Sequence, residues 1–174
     1  MKTVSFAALL LLAAASPAPA AEIFGGLAAQ DVDTPLNKGG YESGLAVQAG
    51  VRGGGIDALK IIGSPQPYAF VSVATEGGTN LAAAGLSWKI GDKIYLRPGL
   101  GLAVHDRSSH VVRGGLRGDL GSQILFEPEL GVGIRLADRV TAEASWIHVS
   151  HARLFSRQNP GMDNIGVRLN FELR

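Results

Sequence analysis

The sequence contains no cysteine, so an exported chain of this kind must be stable without disulfides, unlike most small secreted scaffolds. Charge of one sign is lacking too: a formal net charge of +1 argues against a general nucleic-acid binder. Aromatics make up only 6% of the residues, so any membrane-interface girdle must be thin. Past the first residues, no apolar run approaches the roughly 20 residues of a membrane-spanning helix. A Gly-x-Ser-x-Gly elbow, a phosphate-binding loop and an HExxH helix are all missing. Nor do His, Asp and Glu fall at metal-ligand spacing, so the residues predict neither cofactor nor metal.

The compartment is written at the start of the chain. Lys2 provides a positive n-region, Phe6 to Ala15 is an unbroken apolar run, and Ala18-Pro19-Ala20 is a small-x-small cleavage site. Residues 1–20 therefore read as a secretory signal peptide, too short to span a bilayer as a helix. Residues 21–174, roughly 154 of them, then form one mature domain.

Yet 46% of the residues are hydrophobic and 24 are glycine. Alternation reconciles much apolar content with the lack of long apolar runs. From Lys93 to His105, Ile94, Leu96, Pro98, Leu100, Leu102 and Val104 share one parity, with polar and small residues on the other. Period two over that length predicts an extended strand suited to a tilted bilayer crossing of roughly 9–11 residues. The pattern recurs around 44–51, 82–90, 128–136 and 164–173, and segments near 22–31, 66–76 and 139–150 complete eight strands. Gly91-Asp92 and Ala137-Asp138 read as tight turns. The stretches 106–121 and 151–162 read as long loops at the opposite end. Residues 52–65 are too long for a turn, and Ile56 to Lys60 predicts a helical turn lying on the barrel.

Arg97, Glu127, Glu129, Arg135, Glu143, Arg168 and Glu172 fall on the non-apolar parity. In a narrow barrel that parity faces inward, where opposite charges pair. In a lipocalin-like periplasmic carrier the apolar parity would instead line the core. Signal peptide, strand length and loop asymmetry favour an all-β, eight-stranded antiparallel transmembrane barrel in the outer membrane. Trp88 and Phe171 are the outward-facing girdle candidates.

Chemistry is best represented in Trp146-Ile147-His148-Val149-Ser150-His151 and Asn159-Pro160-Gly161-Met162-Asp163. His148 and Ser150 stand two apart on one strand, so their side chains point the same way, on the apolar parity. Asp163 opens the next strand on its own apolar parity, and antiparallel pairing can set it across from Ser150 and beside His148. Hydroxyl, imidazole and carboxylate then converge on the outer surface, where serine can be activated as a nucleophile. Such a triad meets only a lipid-like substrate. The residues alone leave a competing reading open, in which His148 is an interfacial belt residue on a structural or adhesive barrel. A second cluster, His105-Asp106-Arg107-Ser108-Ser109-His110, holds similar residue types, but loop clustering fixes no geometry.

These motifs resemble the lipid A 3-O-deacylase family, the acyloxyacyl-hydrolase-like outer-membrane barrel deacylases. The pattern is His-x-Ser on the penultimate strand (His148-Val149-Ser150), then Asn159, then Gly161-Met162-Asp163 before the final strand. It covers residues 140–173; upstream the likeness is architectural. The resemblance implies an eight-stranded barrel with Ser150 as nucleophile, His148 as base and Asp163 as orienting acid. Asn159 falls at an oxyanion-hole position, alongside a loop backbone amide. It implies lipid A, or lipopolysaccharide, as substrate among outer-membrane lipids, and leaves a homodimer open. Three positions depart from the family pattern. Asp163 replaces a usual Glu, His151 a common Asn, and Arg153 a common Gly. Arg113, Arg117, Arg153 and Arg157 are candidate partners for the phosphates of an anionic glycolipid.

Overall fold

A computed structural model describes residues 22–37, 42–106, 120–154 and 159–173. The signal-peptide segment, and Arg113, Arg117 and Arg157, lie outside the described residues. The strands are β1 (Glu22–Ala29), β2 (Leu45–Arg52), β3 (Gln66–Ala74), β4 (Leu81–Ser87), β5 (Ile90–Gly91), β6 (Ile94–His105), β7 (Ile124–Ala137), β8 (Val140–Val149) and β9 (Met162–Glu172). Apart from β4 and β5, which do not pair with each other, each pairs antiparallel with its sequence neighbour; β1 pairs with β9, and both β4 and β5 pair with β6. The sheet is therefore closed, and among the described strands no edge is left to seek a partner.

Strands β4 and β5 are one stave of eight. Their registers on β6 are continuous, from Ser87 opposite Gly99 to Ile90 opposite Leu96. The gap falls where Trp88 donates its amide to Pro98 O at 2.9 Å. Pro98 has no N–H to return, so the ladder loses one rung there.

Side-chain alternation sorts the two faces as the sequence predicts. Leu100, Val132 and Val167 are exposed on the outer wall, while Arg97, Glu129 and Arg168 are buried in the interior. Ion pairs run through the interior: Arg97 bonds Glu22 at 2.7 Å, Arg168 bonds Glu129 at 2.9 Å, and Arg52 bonds Glu22 at 3.1 Å, while buried Glu127 accepts from the Tyr68 hydroxyl. The Arg168 guanidinium also lies between the rings of Phe24 and Phe70, 4.9 and 5.2 Å from their centroids. Such pairing is what makes buried ions tolerable. Gly133 gives Tyr95 its place among them, since a Cβ there would come within 2.1 Å of the phenol ring. Arg135 and Glu172 depart from the expected interior position. They sit at the rim, where Arg135 pairs with Asp92 and Glu172 with Lys89, because both lie at the strand ends where the lumen opens.

The tightest links share one end of the barrel. The connections 92–93 and 138–139 are two residues each, one position later than the sequence predicts. Residues 53–65 share that end and carry a short 3-10 helix, α1 (Asp57–Ile62). Trp88, on the outer wall, donates its indole N–H to Ile62 O at 2.7 Å and so pins α1 beside it. The connections that follow β1, β3, β6 and β8, including 150–161, lie at the other end. There the interior turns apolar, with Leu81, Leu125, Ile147, Val149 and Met162 all buried. Among the described residues no helix is long and apolar enough to cross a membrane, which leaves the strands to do so if the chain spans one.

Candidate active site on the outer wall

Strand β8 alternates cleanly to its end. Ile147 and Val149 point inward and are buried, so Trp146, His148 and Ser150 point outward at the long-loop end. Ser150 extends the strand by one bridge, exchanging backbone hydrogen bonds with Phe126 on β7 at 2.7 and 3.1 Å. On β9 the residue facing His148 is Asp163. The register therefore differs by two residues from the expected placement of Asp163 across from Ser150. Met162 takes the place opposite Val149, and Ser150 has no β9 partner because the chain has already turned into the loop.

That register brings three groups into a line. His148 Nδ1 lies 2.8 Å from Asp163 Oδ1, and His148 Nε2 lies 2.9 Å from Ser150 Oγ. An ionised carboxylate only accepts hydrogen bonds, so it fixes the proton on Nδ1 and leaves the Nε2 lone pair facing the serine hydroxyl. This is the arrangement in which imidazole can accept the proton of an attacking hydroxyl. The His148 side chain is 12% exposed and Asp163 is fully buried, although both stand on the outward parity.

Asp163 is covered by groups that strand patterning does not reveal. The Trp146 indole N–H donates to Oδ1 at 3.0 Å, and the Thr34 hydroxyl, from the β1–β2 loop, donates to Oδ2. The Trp146 ring also stacks against His148, with centroids 6.1 Å apart and planes 25° off parallel. Trp146 was visible as an outward residue of β8. Thr34 carried no sequence signal, because its loop is remote in the chain and meets the site only through β1–β9 closure.

Gly161 is the third contributor. Its φ is +70°, and a Cβ there would lie 2.9 Å from His148 Cε1. Both the backbone conformation and the close approach of the imidazole call for glycine. Gly161→Ala is expected to leave a folded barrel but to displace His148, lowering kcat by about 10- to 100-fold for any reaction that uses it. Wild-type turnover in that variant would show the imidazole position to be uncritical.

The remaining predicted residues frame the loop after Ser150. The Asn159 side-chain oxygen accepts the His151 N–H at 3.1 Å, which leaves its Nδ2 as the donor end. Leu154 N donates to His151 O at 2.9 Å, closing a turn whose central residues, Ala152 and Arg153, have φ of +50° and +60°. Positive φ at both central positions marks a type I′ turn, usually the province of Gly and Asn. Arg153 thus takes the backbone conformation that a Gly would adopt without strain; its side chain is exposed. His151 is buried.

Of the second sequence cluster, the two described residues are engaged away from Ser150. His105 Nε2 meets Ser122 O at 2.8 Å, Asp106 accepts from Asn80, and residues 107–110 lie outside the described residues. Among the described residues no group of three or more His, Asp or Glu could hold a metal ion.

The fold and these contacts define a small closed β-barrel with a hydrogen-bonded line of serine, histidine and aspartate on its outer wall. The chain matches the family model described as lipid A 3-O-deacylase (PagL) over residues 37–172, and it belongs to that family. Among solved structures it is similar to the outer membrane enzyme PagL, with a TM-score of 0.60 and 17% identity over 87% of this chain and 99% of that one. It is also similar to Neisserial surface protein A (NspA), with a TM-score of 0.55 and 13% identity over 91% and 100% of the two chains. At such identities these likenesses speak for the fold alone. A search of curated proteins finds no match.

Proposed function

We propose that the protein is an outer-membrane esterase that removes an ester-linked 3-hydroxyacyl chain from lipid A. The observation that carries this reading is the Ser150–His148–Asp163 relay, set outside the barrel at the long-loop end of a chain in the lipid A 3-O-deacylase family. A nucleophile in that position faces the ester region of a bilayer leaflet rather than an aqueous pocket. Residues 1–20 serve as the export signal, residues 21–174 are the mature barrel, and the exposed apolar band of the outer wall meets lipid.

In the proposed reaction Ser150 Oγ attacks the ester carbonyl as its proton passes to His148 Nε2, forming a tetrahedral intermediate. Asp163 holds the imidazole and stabilises its charged form. The intermediate collapses by breaking the bond to the sugar oxygen, and His148 returns the proton to that oxygen. Water then attacks the acyl-serine, giving its proton to His148, and the 3-hydroxy fatty acid leaves as Ser150 is regenerated.

The oxyanion needs donors that are not already engaged. The amides of Ser150 and His151 donate to Phe126 O and Asn159 Oδ1. That favours Asn159 Nδ2 together with the amides of the Ala152–Arg153 turn. The fixed positive-φ geometry of that turn aims backbone N–H groups without a glycine.

The test is mass spectrometry of lipid A incubated with the purified barrel in detergent. Loss of one 3-hydroxyacyl mass, with the free acid recovered, is the expected result. Unchanged lipid A across detergents, pH and divalent-ion conditions would instead favour a structural or adhesive barrel.

A further inference from the structure

Strand β1 pairs with β9 up to Ala29 opposite Ile165, so the chain leaving β1 runs on beside the start of β9. Two contacts carry it there: the Asp31 amide donates to Asn164 Oδ1 at 3.2 Å, and the Val32 amide donates to Asp163 O at 2.8 Å. The loop then staples itself. Thr34 N–H donates to Asn37 Oδ1 at 3.1 Å, Asn37 Nδ2 donates to Val32 O at 2.9 Å, and Pro35 fixes the backbone between them. Asn37 and Val32 are thereby tied to the same short segment, with Thr34 at its inner face.

The direction of the Thr34 proton is determined by its neighbours. Leu36 N–H donates to Thr34 Oγ1 at 3.1 Å, occupying a lone pair and leaving the hydroxyl proton for Asp163 Oδ2. Asp163 Oδ1 meanwhile accepts from both Trp146 Nε1 and His148 Nδ1. Three donors thus reach two carboxylate oxygens from a loop, a neighbouring strand residue and the imidazole. Rotating the carboxylate in either sense breaks at least one of these bonds, so the plane that presents Oδ1 to His148 is held from outside the relay. His148 itself donates only one of the three bonds, and neither Thr34 nor Trp146 touches Ser150 in the contacts described.

We propose that Thr34 and Trp146 are positioning residues: their side-chain donors lock the Asp163 carboxylate, and through it the His148 imidazole that activates Ser150. The assignment rests on the reading of Ser150, His148 and Asp163 given above. It makes the β1–β2 loop a working part of the site rather than a passive surface connection. Preorganisation of this kind acts on the barrier and not on lipid binding. Loss of either donor therefore lowers kcat and leaves KM in place.

The experiment compares full-length, membrane-assembled wild type with Thr34→Val, Thr34→Ser and Trp146→Phe, each checked for folded gel mobility. Two rates are read: hydrolysis of lipid A, and covalent labelling of Ser150 by a fluorophosphonate. Thr34→Val, which keeps shape but loses the hydroxyl, is expected to lower kcat and the labelling rate together by about 10- to 100-fold with KM unchanged. Thr34→Ser restores both. Trp146→Phe keeps a ring over His148 but loses the donor, and shows a loss of the same kind. Wild-type rates in both Thr34→Val and Trp146→Phe overturn the proposal. So does a change confined to KM, or a Thr34→Ser variant as impaired as Thr34→Val. Should the wild type label with fluorophosphonate yet leave lipid A intact, the substrate reading fails while the labelling rates still decide the role of Thr34 and Trp146.

Discussion

Ser150→Ala is expected to give a barrel that assembles normally and releases no measurable 3-hydroxy fatty acid from lipid A. Ser150 ends β8 through backbone bonds to Phe126, and its side chain meets His148 rather than the core, so its loss costs the fold little. Catalysis loses its nucleophile, a change worth about 10^4- to 10^6-fold where such relays have been dissected. His148→Ala should fall in the same range, since without the imidazole the serine keeps its proton. Asp163→Asn should be milder. An asparagine can keep its single oxygen toward His148 and Trp146 and turn its amide toward Thr34, whose hydroxyl can accept instead. His105→Ala serves as a control, because His105 engages Ser122 at a separate place and should leave turnover intact. Liquid chromatography of the released acid, with folded fraction measured in parallel, decides the case. Undiminished release by Ser150→Ala would refute this nucleophile outright.

The second large effect concerns assembly. Val132→Arg is expected to cut the yield of folded, outer-membrane-inserted barrel severely, while Val132→Leu leaves it unchanged. Val132 stands on the outer wall between Leu96 of β6 and Ala144 of β8, and lies five positions before the end of β7. Ile94, Ile134, Ala142, Ala144 and Val167 lie around it, and the one acidic neighbour, Glu143, is buried in the interior with Arg97 and Arg168, so among the described residues these outward neighbours offer a guanidinium no carboxylate. An arginine on the lipid face near mid-bilayer costs roughly 2–4 kcal/mol, falling toward zero near the interfaces. Heat-modifiable gel mobility and fractionation of the variant read the outcome, because a closed barrel resists detergent until heated. Normal assembly of Val132→Arg would mean that this face of the wall does not meet hydrocarbon.

The amino-acid sequence by itself determined the strand count, the sidedness of the clearly alternating strands and the outward placement of His148 and Ser150; near 22–31 and 66–76 small residues blur the parity. It could do so because those properties follow from a period of two, which is local. Leu100, Val132 and Val167 face out, and Arg97, Glu129 and Arg168 face in, for no reason beyond parity. Family membership was legible in the same local way, from His148-Val149-Ser150 and Gly161-Met162-Asp163. Register, closure and loop packing are non-local, and there the tertiary structure decided. The β8–β9 register set Asp163 against His148 rather than Ser150. Strand ends turned Arg135 and Glu172 from interior charges into rim pairs, since parity states a direction but not a depth. Only the pairing of β1 with β9 could bring Thr34 to a carboxylate 129 positions away in the chain. Parity alone would leave Asp163 exposed on the outer wall; the loop, Trp146 and His148 bury it, because a hydrogen-bonded carboxylate tolerates the desolvation that an isolated one does not.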